Sequence, residues 1–182
     1  GSQERISTPK KVENTSEILK IYSSDWNECL VINTNSEKAQ QKLTFTEFGN
    51  TVHNILSQIE TEKDLPKIIE SERQRGTISA ENVEHLQNIL QNLLQDAKLV
   101  PYFADGLTIL NERDFIDEEG QIFRADRVVI DSENKCTIID YKTGQPDLDH
   151  HFQVNRYAQL FENLGYKIQS NILIYIDDEQ LK

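Results

Sequence analysis

Cysteine, basic charge and long apolar runs are all scarce in this 182-residue chain. Its two cysteines, Cys29 and Cys136, are too few for a disulfide framework and neither sits in a CxxC metal pair. Each reads as a small buried residue. No stretch approaches the roughly 20 apolar residues of a membrane-spanning helix, and no signal-peptide pattern opens the chain. The expectation is a cytoplasmic protein with no membrane partner. Lysine and arginine total 19 against 31 acidic residues, a formal net charge of −12, which argues against capture of nucleic acid by general electrostatic attraction. A Gly-rich phosphate loop and internal repeats are also missing, so nothing marks a nucleotide pocket.

What remains is enough for one polar domain: 37% hydrophobic and 27% charged residues on a chain long enough to bury a core. Gly1 and Ser2 read as an expression scar on an excised fragment. Residues 1–43 read as a polar, flexible leader with short elements packed on the body, carrying apolar islands at Ile18-Leu19-Ile21-Tyr22 and Leu30-Val31-Ile32 and the single Trp26. The domain proper is placed at residues 44–182.

Within it, Phe48, Val52, Ile55, Leu56 and Ile59 recur at helical spacing, predicting a helix over 45–60 with His53 at the edge of its apolar face. Val83, Leu86, Leu90, Leu93, Leu94 and Ala97 predict a second helix over 78–98, with Ser79 as N-cap and His85 on a solvated face. After Pro101 the pattern turns to strands at 107–115, 121–130 and 135–143. A helix then buries Phe152, Tyr157, Leu160, Phe161 and Leu164 and stops at Gly165, and a strand over 167–176 follows. The expected class is α/β (α+β).

Two loops carry the most information. Glu118-Glu119-Gly120 and Ser132-Glu133-Asn134 each fit a three-residue hairpin, with Gly or Asn in the third, left-handed place. That choice sets Glu112 opposite Asp126 and Asp126 opposite Asp140, and puts Lys142 on the same face as Asp140. Like charges about 5 Å apart are destabilising, so such a row calls for a cation. Mg²⁺ or Mn²⁺, which take carboxylate and water ligands, answer that need.

"FGNTVH" (48–53), "ADRVV" (125–129), "IIDYKTG" (138–144) and "QVNRY" (153–157) together resemble the RecB-like branch of the PD-(D/E)xK nucleases, and most of all the C-terminal nuclease domain of RecB/AddA-type helicase-nucleases. The resemblance covers about residues 45–176 and implies a restriction-endonuclease-like fold, a central mixed β-sheet flanked by helices. It implies that His53, Asp126, Asp140 and the backbone carbonyl of Tyr141 are metal ligands, that Lys142 is the catalytic lysine, and that Glu112 is a further acidic member. Gln153 and Tyr157, one turn apart on a helix, face the site and the DNA backbone. Arg124 stands where the family often has glycine; it either crowds the site or contacts a phosphate, and is carried as a DNA-binding candidate. The implied activity is Mg²⁺- or Mn²⁺-dependent exonucleolytic hydrolysis of DNA to products with 5′-phosphates. The implied partners are linked helicase domains, with a second helicase-nuclease subunit, in recombinational repair. The four clustered cysteines of the iron–sulfur relatives are absent, so no such cluster is expected.

Plainer readings exist for each residue. His53 taken alone is a core-edge histidine, Glu112 a solvated neighbour of Arg113, and Asp126 an ion-pair partner of Arg124 and Arg127. Asp140 and Lys142 could be an ordinary salt bridge, and His150 and His151 simply begin a helix near the site. Two other function classes stand beside the nuclease: a silent nuclease fold that docks DNA or a partner, and a metal-dependent enzyme acting on small phosphorylated molecules.

Overall fold

Both predicted hairpin loops close as their chemistry demands. In the computed structural model, which describes residues 22–24, 27–34, 45–117, 119–144 and 146–178 with side chains from residue 47 to 176, each loop begins at an aspartate. The Asp117 carboxylate accepts from the Glu119 and Gln121 amides, and the Asp131 carboxylate accepts from those of Glu133 and Lys135. Gly120 (φ 79°) and Asn134 (φ 61°) occupy the left-handed position, each donating its amide to the aspartate carbonyl. The strands so joined are β3 (Thr108–Ile116), β4 (Ile122–Ile130) and β5 (Lys135–Thr143).

They form half of a six-stranded sheet. β6 (Lys167–Asp178) lies parallel to β5, β2 (Asn27–Thr34) parallel to β6, and β1 (Tyr22–Ser24) antiparallel to β2. The spatial order is β1-β2-β6-β5-β4-β3. This is the mixed sheet of the expected α/β class. β1 and β2 fall in the segment read as a leader, and β2 is paired with β6 along eight residues. Trp26, Ile18, Leu19, Ile21 and the rest of that leader lie outside the described residues.

Helices cover both faces. On one side α1 (Phe45–Gln58), α2 (Leu65–Arg75) and α3 (Val83–Gln95) pack on Val129, Ile139, Tyr141, Ile172, Ile174 and Ile176. On the other, α4 (Leu148–Asn163) packs Val154, Tyr157 and Phe161 against Ile138, Leu173 and Tyr175. All five predicted apolar residues of α1 are buried.

Some expectations need correction. The second helix begins at Val83 behind Asn82, not near Ser79, and ends before Ala97, which is exposed. His85 is buried, not solvated, because it shares a face with Leu86 and Ile89 in α3. Phe152 and Leu164 were expected inward but are exposed, and Val154 takes the inward place on α4. Helix α2 was not foreseen, although Pro66 in its first turn and Gly76 (φ 77°) at its end are ordinary start and stop signals.

Two buried charged groups brace the helical layer, one of them against the sheet. Arg127, with no exposed surface, donates to the carbonyls of Ile59, Glu60 and Tyr102 and lies 4.1 Å from the centre of the Phe103 ring. The Glu72 carboxylate accepts from Asn54, Gln58, Arg75 and Thr77, linking α1 to α2.

Candidate active site

The predicted register holds on both sides of the acidic positions but not at them. Asn111 pairs Arg127 and Arg113 pairs Ala125, while Glu112 and Asp126 are not ladder partners; the β4–β5 ladder stops at Arg127 and Ile139, before Asp126 and Asp140. Glu112 is the cause in β3, with φ at 47°, a left-handed conformation rare for a residue with a Cβ. Alternation slips there. Leu110 and Val128 pack toward α4, yet so do Phe115, Phe123 and Ala125, residues of the opposite parity. Between them Asn111 and Arg127 reach the end of α1, and Glu112 and Asp126 turn to the same side.

That slip delivers both acids to His53 on α1. His53 Nδ1 is 3.6 Å from Asp126 Oδ1 and 4.0 Å from Glu112 Oε1. One ligand atom from each of the three residues lies within 4.8 Å of the others. Asp126 uses its second oxygen to accept the Tyr141 amide at 2.6 Å, so its carboxylate bridges the gap where the β4–β5 ladder has opened. The Tyr141 ring packs inward, edge-on to His53 at 6.2 Å.

Asp140 and Lys142 arrive from the other side of the sheet, which corrects the expectation of a single row on one face. Lys142 Nζ lies 2.6 Å from Asp140 Oδ2 and donates to Gln153 Oε1 on α4 at 2.9 Å. Gln153 in turn donates to the Tyr157 hydroxyl at 2.7 Å. The pair expected on one face of α4 therefore forms a relay that fixes the lysine. His150, in the first turn of α4, has its Nδ1 2.8 Å from the Tyr175 hydroxyl; its burial, and then the Lys142 charge, lower its pKa.

Arg124 and Arg127 do not pair with Asp126. Arg124 makes a two-pronged contact with Asp114 at 2.6 and 2.9 Å, and Arg127 is committed to carbonyls. Removing those partners leaves the acidic cluster with excess negative charge, and the titrations respond. Asp140 is pushed up from the usual carboxylate range by burial and then by the Asp126 charge, against the pull of Lys142. Burial and then Asp126 likewise raise Glu112. For His53, burial disfavours the imidazolium, but the hydrogen bond and charge of Asp126, with Glu112 and Asp140, outweigh it and raise the pKa. All three shifts favour the protonated form, the response of groups crowded by negative charge, and a divalent cation could relieve the same crowding.

One contact was not anticipated although its residues sit in the quoted motifs. Gly49 in α1 is buried, and a Cβ there would meet Thr143 Oγ1 of β5 at 2.7 Å. The glycine lets α1 approach the strand that carries Asp140 and Lys142. The motif spelling contains this signal, but only the approach of two distant segments explains it.

An imidazole and two carboxylates gathered on a mixed sheet with helices on both faces form a group that could hold a metal ion. The profile of the PD-(D/E)XK nuclease superfamily matches residues 28–180, and the chain belongs to that superfamily, whose members are metal-dependent nucleases. Compared with curated proteins, the chain has no match. The donor set fits a divalent ion: one nitrogen and two carboxylates within reach of a common point. No helix among the described residues is long and apolar enough to cross a membrane.

Proposed function

We propose that this chain is the nuclease domain of a RecB-like helicase-nuclease, a Mg²⁺- or Mn²⁺-dependent deoxyribonuclease that trims DNA ends in the cytoplasm during recombinational repair. The observation that carries the reading is the placement of Lys142, fixed between Gln153 and Asp140, whose carboxylate in turn feels the charges of Asp126 and His53. His53, Glu112 and Asp126 would hold the ion, with Asp140 and the Tyr141 carbonyl completing the set. A bound divalent ion supplies charge neutralisation at the scissile phosphate and a more acidic water.

The chain's own groups do the rest. Lys142 orients the attacking water and stabilises negative charge as it builds on the phosphate oxygens. Gln153, braced by Tyr157, keeps the ammonium from swinging away. Water oxygen bonds to phosphorus while the bond from phosphorus to the 3′ oxygen breaks, leaving a 5′-phosphate and a 3′-hydroxyl. A chain of −12 has little long-range attraction for DNA, which favours delivery of the strand by linked helicase domains, with a second helicase-nuclease subunit in the complex.

The test uses linear single- and double-stranded DNA with Mg²⁺, Mn²⁺ or chelator. Degradation is expected only with metal, and Lys142→Ala should slow it about 10²- to 10³-fold. Undiminished cleavage by that variant would overturn the lysine's role. Tight DNA binding without any cleavage by the unaltered protein would instead identify a docking module.

A further inference from the structure

Gln153 and Tyr157 also line a cleft of about 480 Å³ between the start of β4 and the outward side of α4. Its size falls in the roughly 300–1,000 Å³ range of sites that hold a small organic group. The cleft therefore opens next to Lys142, through the same glutamine that holds the lysine. Two large apolar side chains stand in it: Phe152 is 67% exposed and Ile122 66% exposed. Both present apolar surface to water in a cleft lined by the glutamine that holds Lys142.

Two guanidiniums line the cleft, Arg124 and Arg156, with Asp149 as the one acid among the lining residues. Arg124 is already paired with Asp114, which leaves Arg156 as the guanidinium open to a phosphate. Arg156 is held in place by Gln121 Oε1 at 2.7 Å and by the face of the Phe123 ring, 5.0 Å from its guanidinium carbon. An exposed aromatic ring, an aliphatic neighbour and an anchored guanidinium, here Arg156, suit a nucleobase with its phosphate. A duplex keeps its base faces in the stack and offers nothing to Phe152.

Building on the nuclease reading, we infer that this cleft is a nucleobase subsite for single-stranded DNA. One unpaired base lies against Phe152 and Ile122, with a flanking phosphate on Arg156, and the strand is thereby led to Lys142. The subsite makes single strands the preferred substrate.

Affinity is measured by fluorescence anisotropy with Mg²⁺ in a Lys142→Ala background, for a twelve-nucleotide oligothymidylate, an abasic strand of equal length and a blunt duplex. Phe152→Ala should weaken oligothymidylate binding by about 5- to 100-fold, leave the abasic strand unchanged and be rescued by Phe152→Tyr. Arg156→Gln should weaken both single strands. Because Phe152 is exposed, circular-dichroism melting should show the Phe152 variants folded. The inference is overturned if Phe152→Ala binds oligothymidylate as its parent does, if the parent does not bind it, or if the duplex binds equally well. Cleavage by the chain with native Lys142 is scored separately. Metal-dependent cleavage with no effect of Phe152→Ala on binding sinks the subsite and spares the nuclease. Loss of base-dependent binding in a protein that never cleaves does the reverse.

Discussion

Single residues in this site work by what they allow others to do. Gly49 contributes no contact of its own, and its absent side chain is the contribution, since a methyl group there would press on Thr143 Oγ1 at 2.7 Å. Alanine would improve the intrinsic preference of α1 for helix by about 1 kcal/mol, yet it must displace the neighbour of Lys142. Gly49→Ala should therefore change the melting temperature by only a few degrees while lowering the cleavage rate at least about tenfold. Adding Thr143→Ala, which removes the obstructing oxygen, should restore most of the rate, and steady-state kinetics on the two single variants and the double one measures that coupling. Cys136 shows the opposite kind of silence: buried in the α4-side core, its thiol is pushed up to about 12 and stays a packing residue.

At the level of elements, the decisive event is the slip of alternation at Glu112 and Asp126. A regular pair of strands would have sent these carboxylates to the α4 side with Leu110 and Val128. The positive φ at Glu112 turns its own carboxylate to α1 instead, a local strain of order 1–3 kcal/mol at a candidate site residue, and Asp126 turns to the same side where its ladder has opened. Arg127, adjacent to the slip, anchors β4 by satisfying the carbonyls of Ile59, Glu60 and Tyr102. Arg127→Met would leave those three acceptors without their donor in the interior, and should cost about 3–5 kcal/mol. Urea titration should show a lower midpoint at unchanged slope. A loss below about 1 kcal/mol would mean that water reaches these carbonyls readily and that Arg127 is dispensable.

For the molecule as a whole, the raised pKa values of Asp140, Glu112 and His53 fix the sign of a pH effect. In each case the folded state binds the proton more tightly than the unfolded chain. The two acids therefore lower stability as pH rises from about 4 to their raised folded values. His53 adds stability below its unfolded pKa that is lost as pH rises through its folded one. The carboxylates whose pKa values are lowered, Asp64, Glu70, Glu72 and Asp114, act at more acidic pH. His150, whose pKa is lowered by burial and then by the Lys142 charge, works in the opposite direction in the same window as His53 and offsets part of its effect. Metal-free protein should thus melt several degrees higher at pH 5.5 than at pH 8, and Asp140→Asn should raise the pH 8 value and flatten the trend. Mg²⁺ should stabilise more at pH 8, because its ligands must be deprotonated. A melting temperature independent of pH in chelator would contradict this account.

The strands β3 to β6, helices α1 and α4 and the register of both hairpins were legible in the sequence. Local rules govern them: apolar spacing, and Gly120 and Asn134 at positions that require a left-handed residue. Helix α2, the late start of α3, the burial of His85 and the exposure of Phe152 were not, because which face of a helix is covered depends on what packs there. By itself the sequence determined strands β3 to β6, helices α1 and α4, the chemistry of the candidate site residues and the likeness to nucleases. Only the tertiary structure decided that Glu112 and Asp126 join His53 from one side of the sheet while Asp140 and Lys142 come from the other. A left-handed kink and an opened ladder answer to contacts between distant segments, and no local periodicity encodes them.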